Sequence, residues 1–144
     1  MNSVFTTPAP SFTLKEIKKI LESKFGISGS LKHLYGDRDQ NFYINTNRGS
    51  FILKVFNIKE EKKLIDLQDR AVTHIKKNYS SAAVPSSVDH KEITINGEIY
   101  HFKIQEFLEG DFLHKAEMSI NDYSGMGKFI GNLSKALTGF DHKA

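Results

Sequence analysis

The run Gly49-Ser50-Phe51-Ile52-Leu53-Lys54-Val55-Phe56 constrains this chain more than any other segment. A Gly-Ser turn opens it, and aromatic and β-branched residues fill it, which is the composition of a strand. Side chains alternate along a strand, so Ile52, Lys54 and Phe56 share one face and Phe51, Leu53 and Val55 the other. Both sets are largely apolar, which predicts an interior strand covered on both sides. A lysine there is costly unless its ammonium meets an anion. Two readings follow: Lys54 holds a phosphate, or it snorkels to the surface from a strand end.

The rest of the chain supplies partners for that strand. Thr13-Leu14-Lys15-Glu16 reads as a capping box, with Phe12 placed to staple onto Ile17. Leu14, Ile17, Ile20, Leu21 and Phe25 form one helical stripe that Gly26 ends. Strands are expected at Leu31–Leu34 and Asn41–Thr46, joined by the polar loop 35–40, with 47–50 turning into the Lys54 strand. A long helix is expected from about Lys59 to Asn78, and 84–87 reads as a loop. Ile93–Ile95 and Ile99–Phe107 make a hairpin about Asn96-Gly97. A last helix runs from Ile120 to Thr138, capped by Ser119 and ended by Gly139. Short adjacent strands and one long helix between the third and fourth predict an α+β layer: a five-stranded antiparallel sheet with the helix packed on one face.

With 144 residues the chain has room for one domain with its own core. It has no cysteine, which excludes disulfides, thiolate metal sites and cysteine nucleophiles and fits a reducing, cytoplasmic setting. Neither a signal peptide nor a membrane-spanning run is expected. The net charge of +3 points only weakly to anionic partners. Lys15, Lys18, Lys19 and Lys24 read as a solvated helix face, not a nucleic-acid surface, because no aromatic or arginine readout set accompanies them.

The loop at 35–40 can offer backbone amides to a phosphate, as anion-binding turns do, and Lys54 would point beneath it. On the long helix, Leu64, Gln68, Ala71 and Ile75 share one line, which turns the polar Gln68 inward; Asp66 and Asp69 lie off it. After the last strand, Gln105-Glu106-Phe107-Leu108 supplies free backbone groups beside an apolar wall.

This layout resembles the smaller, nucleotide-binding lobe of the protein-kinase-like fold. Within it the chain is similar to the aminoglycoside phosphotransferase and hydroxylysine kinase family, in particular the kinase-like domain at the head of kinase–aminotransferase fusions. The resemblance rests on the order and spacing of Arg38–Phe42, Phe51–Asn57, Asp66–Ala71, Phe107–Gly110 and Gly131–Phe140. It implies a leader at 1–11, a nucleotide-binding lobe at 12–108, a hinge at 109–119 and the first helix of a truncated larger lobe at 120–144. It also implies an ATP cofactor, with Mg²⁺ in the full-length protein, and phosphoryl transfer to an alcohol of an amine, amino-acid or aminoglycoside-like substrate. Lys54 would hold the α- and β-phosphates, and Asp39, Gln40 and Asn41 would stand where protein kinases carry a Gly-rich loop. The Glu106 carbonyl and the Leu108 amide would bind the adenine edge. Gln68 stands where the helix glutamate is usual, with Asp66 the nearest matching acid.

One departure is large. The family needs an aspartate base in a His-x-Asp loop and a metal-binding aspartate, and neither follows residue 108. The expectation is therefore a nucleotide-binding lobe without turnover, cut off before its catalytic half. The alternative is a non-catalytic module that binds nucleotide or a partner. The stripe Ile120, Tyr123, Ile130, Leu133 and Leu137 would then be left for the missing lobe or for self-association through helix 120–138. Asp37-Arg38-Asp39 has the form of a metal pair, but turn chemistry and surface charge explain it better. Gly125-Met126-Gly127-Lys128 lacks the outer residues of a phosphate loop, and the six histidines show no metal-binding spacing. His101 is expected on a solvent-facing side of its strand.

Overall fold

A computed structural model describes residues 6–144; the first five residues of the expected leader lie outside the described residues. The order is a helix, three strands, a long helix, a two-stranded hairpin and a final helix. The strands are β1 (Ser30–Leu34), β2 (Gln40–Thr46), β3 (Gly49–Val55), β4 (Ser87–Ile95) and β5 (Glu98–Glu106). The helices are α1 (Leu14–Ile20), α2 (Lys62–Asn78) and α3 (Ile120–Ala136). The fold is α+β, with one five-stranded, wholly antiparallel sheet in the order β1-β2-β3-β5-β4. The chain divides into two compact units. One holds the described residues through Lys62 and Ser87–Phe107; the other holds Lys63–Ser86 and Leu108–Ala144.

The sheet unit forms as its local chemistry dictates. Thr13 caps α1 through a full capping box: its backbone N–H donates to Glu16 Oε2 at 2.8 Å, and its hydroxyl accepts from the Glu16 N–H at 3.3 Å. After α1 the chain widens into one π turn at Leu21–Phe25, and Gly26 ends it at φ 65°. The β4–β5 hairpin closes through Asn96 at φ 52° and Gly97 at φ 83°. These left-handed residues give the turn a twist that matches the strands. Lying between the two outer pairs, β3 is bonded to β2 on one side and β5 on the other.

Antiparallel register sorts the side chains into two unlike faces. On one, Phe42, Ile44, Leu53, Val55, Ile93, Phe102 and Ile104 join Ile17 and Leu21 in a buried core, with Phe12, Phe25 and Ile27 packed at its margin. The other face carries Asn41, Lys54, Lys103 and His90 in one row across four strands. β3 is an interior strand as expected, and its second face is mixed in character instead of apolar, although Phe56 and Lys103 on that face are buried. Ile52 and Phe56 are apolar, but the cross-strand neighbours that share their face are polar, and a single strand does not reveal its neighbours.

The second unit has a smaller core. Ile75, Ala82 and Ala136 are buried, and Tyr79, Val84 and Leu133 pack against them. Ser119 caps α3 with its hydroxyl, which accepts the Asp122 N–H at 3.3 Å, and its own N–H donates to Asp122 Oδ2 at 2.8 Å, so an aspartate completes this capping box. The expected apolar stripe of α3 divides. Leu133 is half-buried, while Ile120, Tyr123, Ile130 and Leu137 are exposed. Among the described residues no helix is long and apolar enough to cross a membrane.

Phe102 shares the core cluster with Ile17 of α1 and with neighbouring strands, packs against Phe12, and is fully buried. Phe102→Ala should lower stability by about 3–5 kcal/mol, the usual effect of emptying a buried aromatic site. Urea unfolding of the two chains measures it.

Candidate functional site

Lys54 projects from the middle of the polar row, and its ammonium meets a carboxylate. Lys54 Nζ lies 2.8 Å from Asp39 Oδ2, with the two side chains 28% and 14% exposed. The anion that makes this lysine tolerable comes from the chain itself, out of the loop before β2. Asp39 is therefore more than the turn residue and surface charge expected of it: its side chain is 14% exposed and ion-paired. Its second oxygen, Oδ1, accepts the Asn57 backbone N–H at 2.8 Å. A carboxylate held by an ammonium and an amide has its position set from two directions.

Asn57 builds the support behind it. This side chain is 1% exposed and fully used. Its Nδ2 donates toward the carbonyls of Thr7, Pro8 and Arg38 at 3.1, 3.2 and 3.3 Å, and its Oδ1 accepts the Lys59 N–H at 3.0 Å. One buried amide thus ties together the segment before α1, the Asp39 loop and the exit of β3. The loop also folds tightly on itself. A Cβ on Gly36 would stand 2.1 Å from the Asp39 carbonyl oxygen and 2.7 Å from Asn41 Nδ2. Only glycine allows that approach.

The cationic character continues along the row. Lys103 on β5 is the Cα partner of Lys54 and is 5% exposed. The Phe56 ring serves both ammoniums, with Lys54 Nζ 4.8 Å and Lys103 Nζ 5.7 Å from its centroid. Next to them His90 Nε2 and His101 Nδ1 are 3.1 Å apart, so one ring donates and the other accepts. His101 stands on the face opposite the core, as alternation predicts, and is half-buried there. Burial pushes its pKa below the usual 6.5, opposed by the Glu92 carboxylate and assisted by the Lys62 ammonium. Glu92 lies opposite His101 in the register and pairs with Lys62 at 2.5 Å.

Of the residues expected to bind nucleotide, the structure brings Lys54, Asp39 and Asn41 together. Asn41 is the Cα partner of Lys54 on β2, and its Nδ2 lies 3.4 Å from the Tyr35 carbonyl. Gln40 is different. It faces the core side, opposite Val55, and exchanges hydrogen bonds with the Phe12 N–H and C=O at 2.8 Å each. It anchors the entry to α1 and is not a ligand contact, because strand alternation turns it away from Lys54. Glu106 closes β5 opposite Phe51, on the core-face side of the alternation. In the second unit Leu108 is 43% exposed. Gln68 keeps a helical angle between Ile65 and Ile75 yet is exposed, which corrects its inward reading: its long polar side chain remains in water. Asp66 is engaged locally, 2.8 Å from Arg70 Nε and 3.0 Å from His142 Nε2. The His142 hydrogen bond, then Arg70, holds its carboxyl below the ordinary 3.8.

Sequence reasoning missed Lys103 and the clip made by Asn57. The alternation Tyr100-His101-Phe102-Lys103-Ile104 did carry the first signal, since Lys103 falls on the face opposite two core residues. Asn57 carried none beyond its place after an apolar strand. Among the described residues no group of three or more His, Asp or Glu side chains is arranged to hold a metal ion. A scan of protein-family models finds no match to this chain, and a search of curated proteins finds none.

The histidine pair yields a pH dependence. The folded pKa of His101 lies below its ordinary 6.5, so between the two values the unfolded chain binds more protons. Its contribution to stability is present above 6.5 and is lost as pH falls through the folded value. His101→Gln should flatten that acid-side loss in urea melts run from neutral to mildly acidic pH. An unchanged slope would assign the loss to other groups.

Proposed function

We propose that the sheet unit is the nucleotide-binding lobe of a small-molecule phosphotransferase and that Lys54 is its phosphate contact. The observation that carries this reading is the placement of Lys54. It is a partly exposed ammonium at the centre of a sheet, on a row with Asn41 and Lys103, reached by the one loop that the family resemblance sets over the phosphates. The fit to a phosphate is chemical. An ammonium with three donors and a neighbouring amide suit anionic oxygens, and the Lys103 charge raises the local potential. Mg²⁺ would arrive with the nucleotide; among the described residues no acid cluster is arranged to hold it. Phosphoryl transfer to an alcohol rests on the resemblance alone. Within these 144 residues no His-x-Asp follows the segment after β5, so the reading expects nucleotide binding without turnover from them.

A second reading is favoured by one contact. Asp39 already supplies Lys54 with an anion at 2.8 Å, which is what a purely structural ion pair would look like. On that reading the unit is a non-catalytic module, and Lys54 serves the loop instead of a ligand.

Lys54→Met separates the two, because methionine keeps the length and apolar stem while removing the charge. The nucleotide reading expects MgATP binding by calorimetry that the variant weakens by on the order of 1.5–3 kcal/mol, the value of a charge-assisted hydrogen bond. It expects no phosphoryl transfer from either chain. Equal binding by both, or none by the parent, supports the structural pair.

A further inference from the structure

We propose that Asp39 is a competitor built into the loop: its carboxylate holds the position on Lys54 that a phosphate would take, and an oligophosphate binds by exchanging with it. This rests on the nucleotide reading of Lys54 and adds to it a means of setting affinity.

The contacts argue for exchange over a shared site. Asp39 belongs to the loop that the resemblance sets over the phosphates, so on the nucleotide reading its carboxylate and the phosphates would reach Lys54 from the same side. At 2.8 Å, Oδ2 is at the full charge-assisted distance, and a second anion on the same side would stand against it with like charge. The other oxygen rests on the Asn57 N–H, a single hydrogen bond at the exit of β3. Among the described residues, one ion pair and one hydrogen bond hold the Asp39 carboxylate, and its release opens those two. The Asn57 side chain keeps hold of the Arg38 carbonyl, so the loop base stays anchored while the carboxylate swings away. Asn41 and Lys54 would remain in register beneath the incoming phosphate.

The test uses the full 144-residue chain with tripolyphosphate and MgATP as probes. Asp39→Asn keeps the shape and an oxygen for the Asn57 N–H but removes the charge that competes. The proposal expects this variant to bind both probes about tenfold more tightly than the parent, equivalent to about 1.4 kcal/mol. If Asp39 instead orients Lys54 for the ligand, the variant binds equally or more weakly, and the competitor role is overturned while the nucleotide reading stands. If neither chain binds either probe, the nucleotide reading fails and the competitor role fails with it. Should Asp39→Asn not fold, the parent alone decides through the carbon-13 signal of the Asp39 carboxyl. Exchange requires that signal to shift in step with tripolyphosphate binding, and a signal that stays fixed through saturation overturns the proposal.

Discussion

A partly buried ammonium in a sheet is costly without an anion, and for Lys54 this fold meets that demand with Asp39. Much of the sheet unit's local architecture follows from it. The loop before β2 must reach back to β3, which requires a close turn at Gly36 and an anchor for Asp39. The Asn57 amide provides the anchor and at the same time fastens the segment ahead of α1. Removing either charge would leave the other half-buried and unmatched, a larger loss than the pair contributes.

The two faces of the sheet divide the work. The core face, packed by α1, supplies stability through Phe42, Leu53, Phe102 and their neighbours. The polar face gathers Asn41, Lys54, Lys103 and the His90–His101 pair into a row that no core requires. Charged and hydrogen-bonding side chains lined up across four strands are a poor way to stabilise a sheet, since like charges directly opposite one another repel. The proposed phosphate contact would give this row a use that packing alone does not.

Local chemistry was legible in the sequence wherever one segment sufficed. The Thr13 box, the Ser119 cap, the Gly26 stop and the Asn96-Gly97 turn all stand where residue type and spacing put them. The ionic demand of Lys54 was legible too, but the identity of its partner was not, because Asp39 approaches from another strand's loop. The same limit hid Lys103 and the orientation of Gln40. Register sets both, and register is a property of strand pairs. Gln68 failed for another reason. Its helical angle was read correctly, but a long amide on that line can still reach water. Asn57 was beyond reading, since its carbonyl partners lie about fifty and about twenty residues away.

The central claim is that the row through Lys54 receives an anionic ligand. The most direct measurement is a residue-by-residue map of backbone amide shifts as isotope-labelled chain is titrated with MgATP. The account predicts saturable shifts concentrated at residues 36–41, at Lys54 and Asn57, and at Lys103, with the core-face residues of α1 unmoved. Shifts confined to other regions of the chain, or none at millimolar nucleotide, would contradict it.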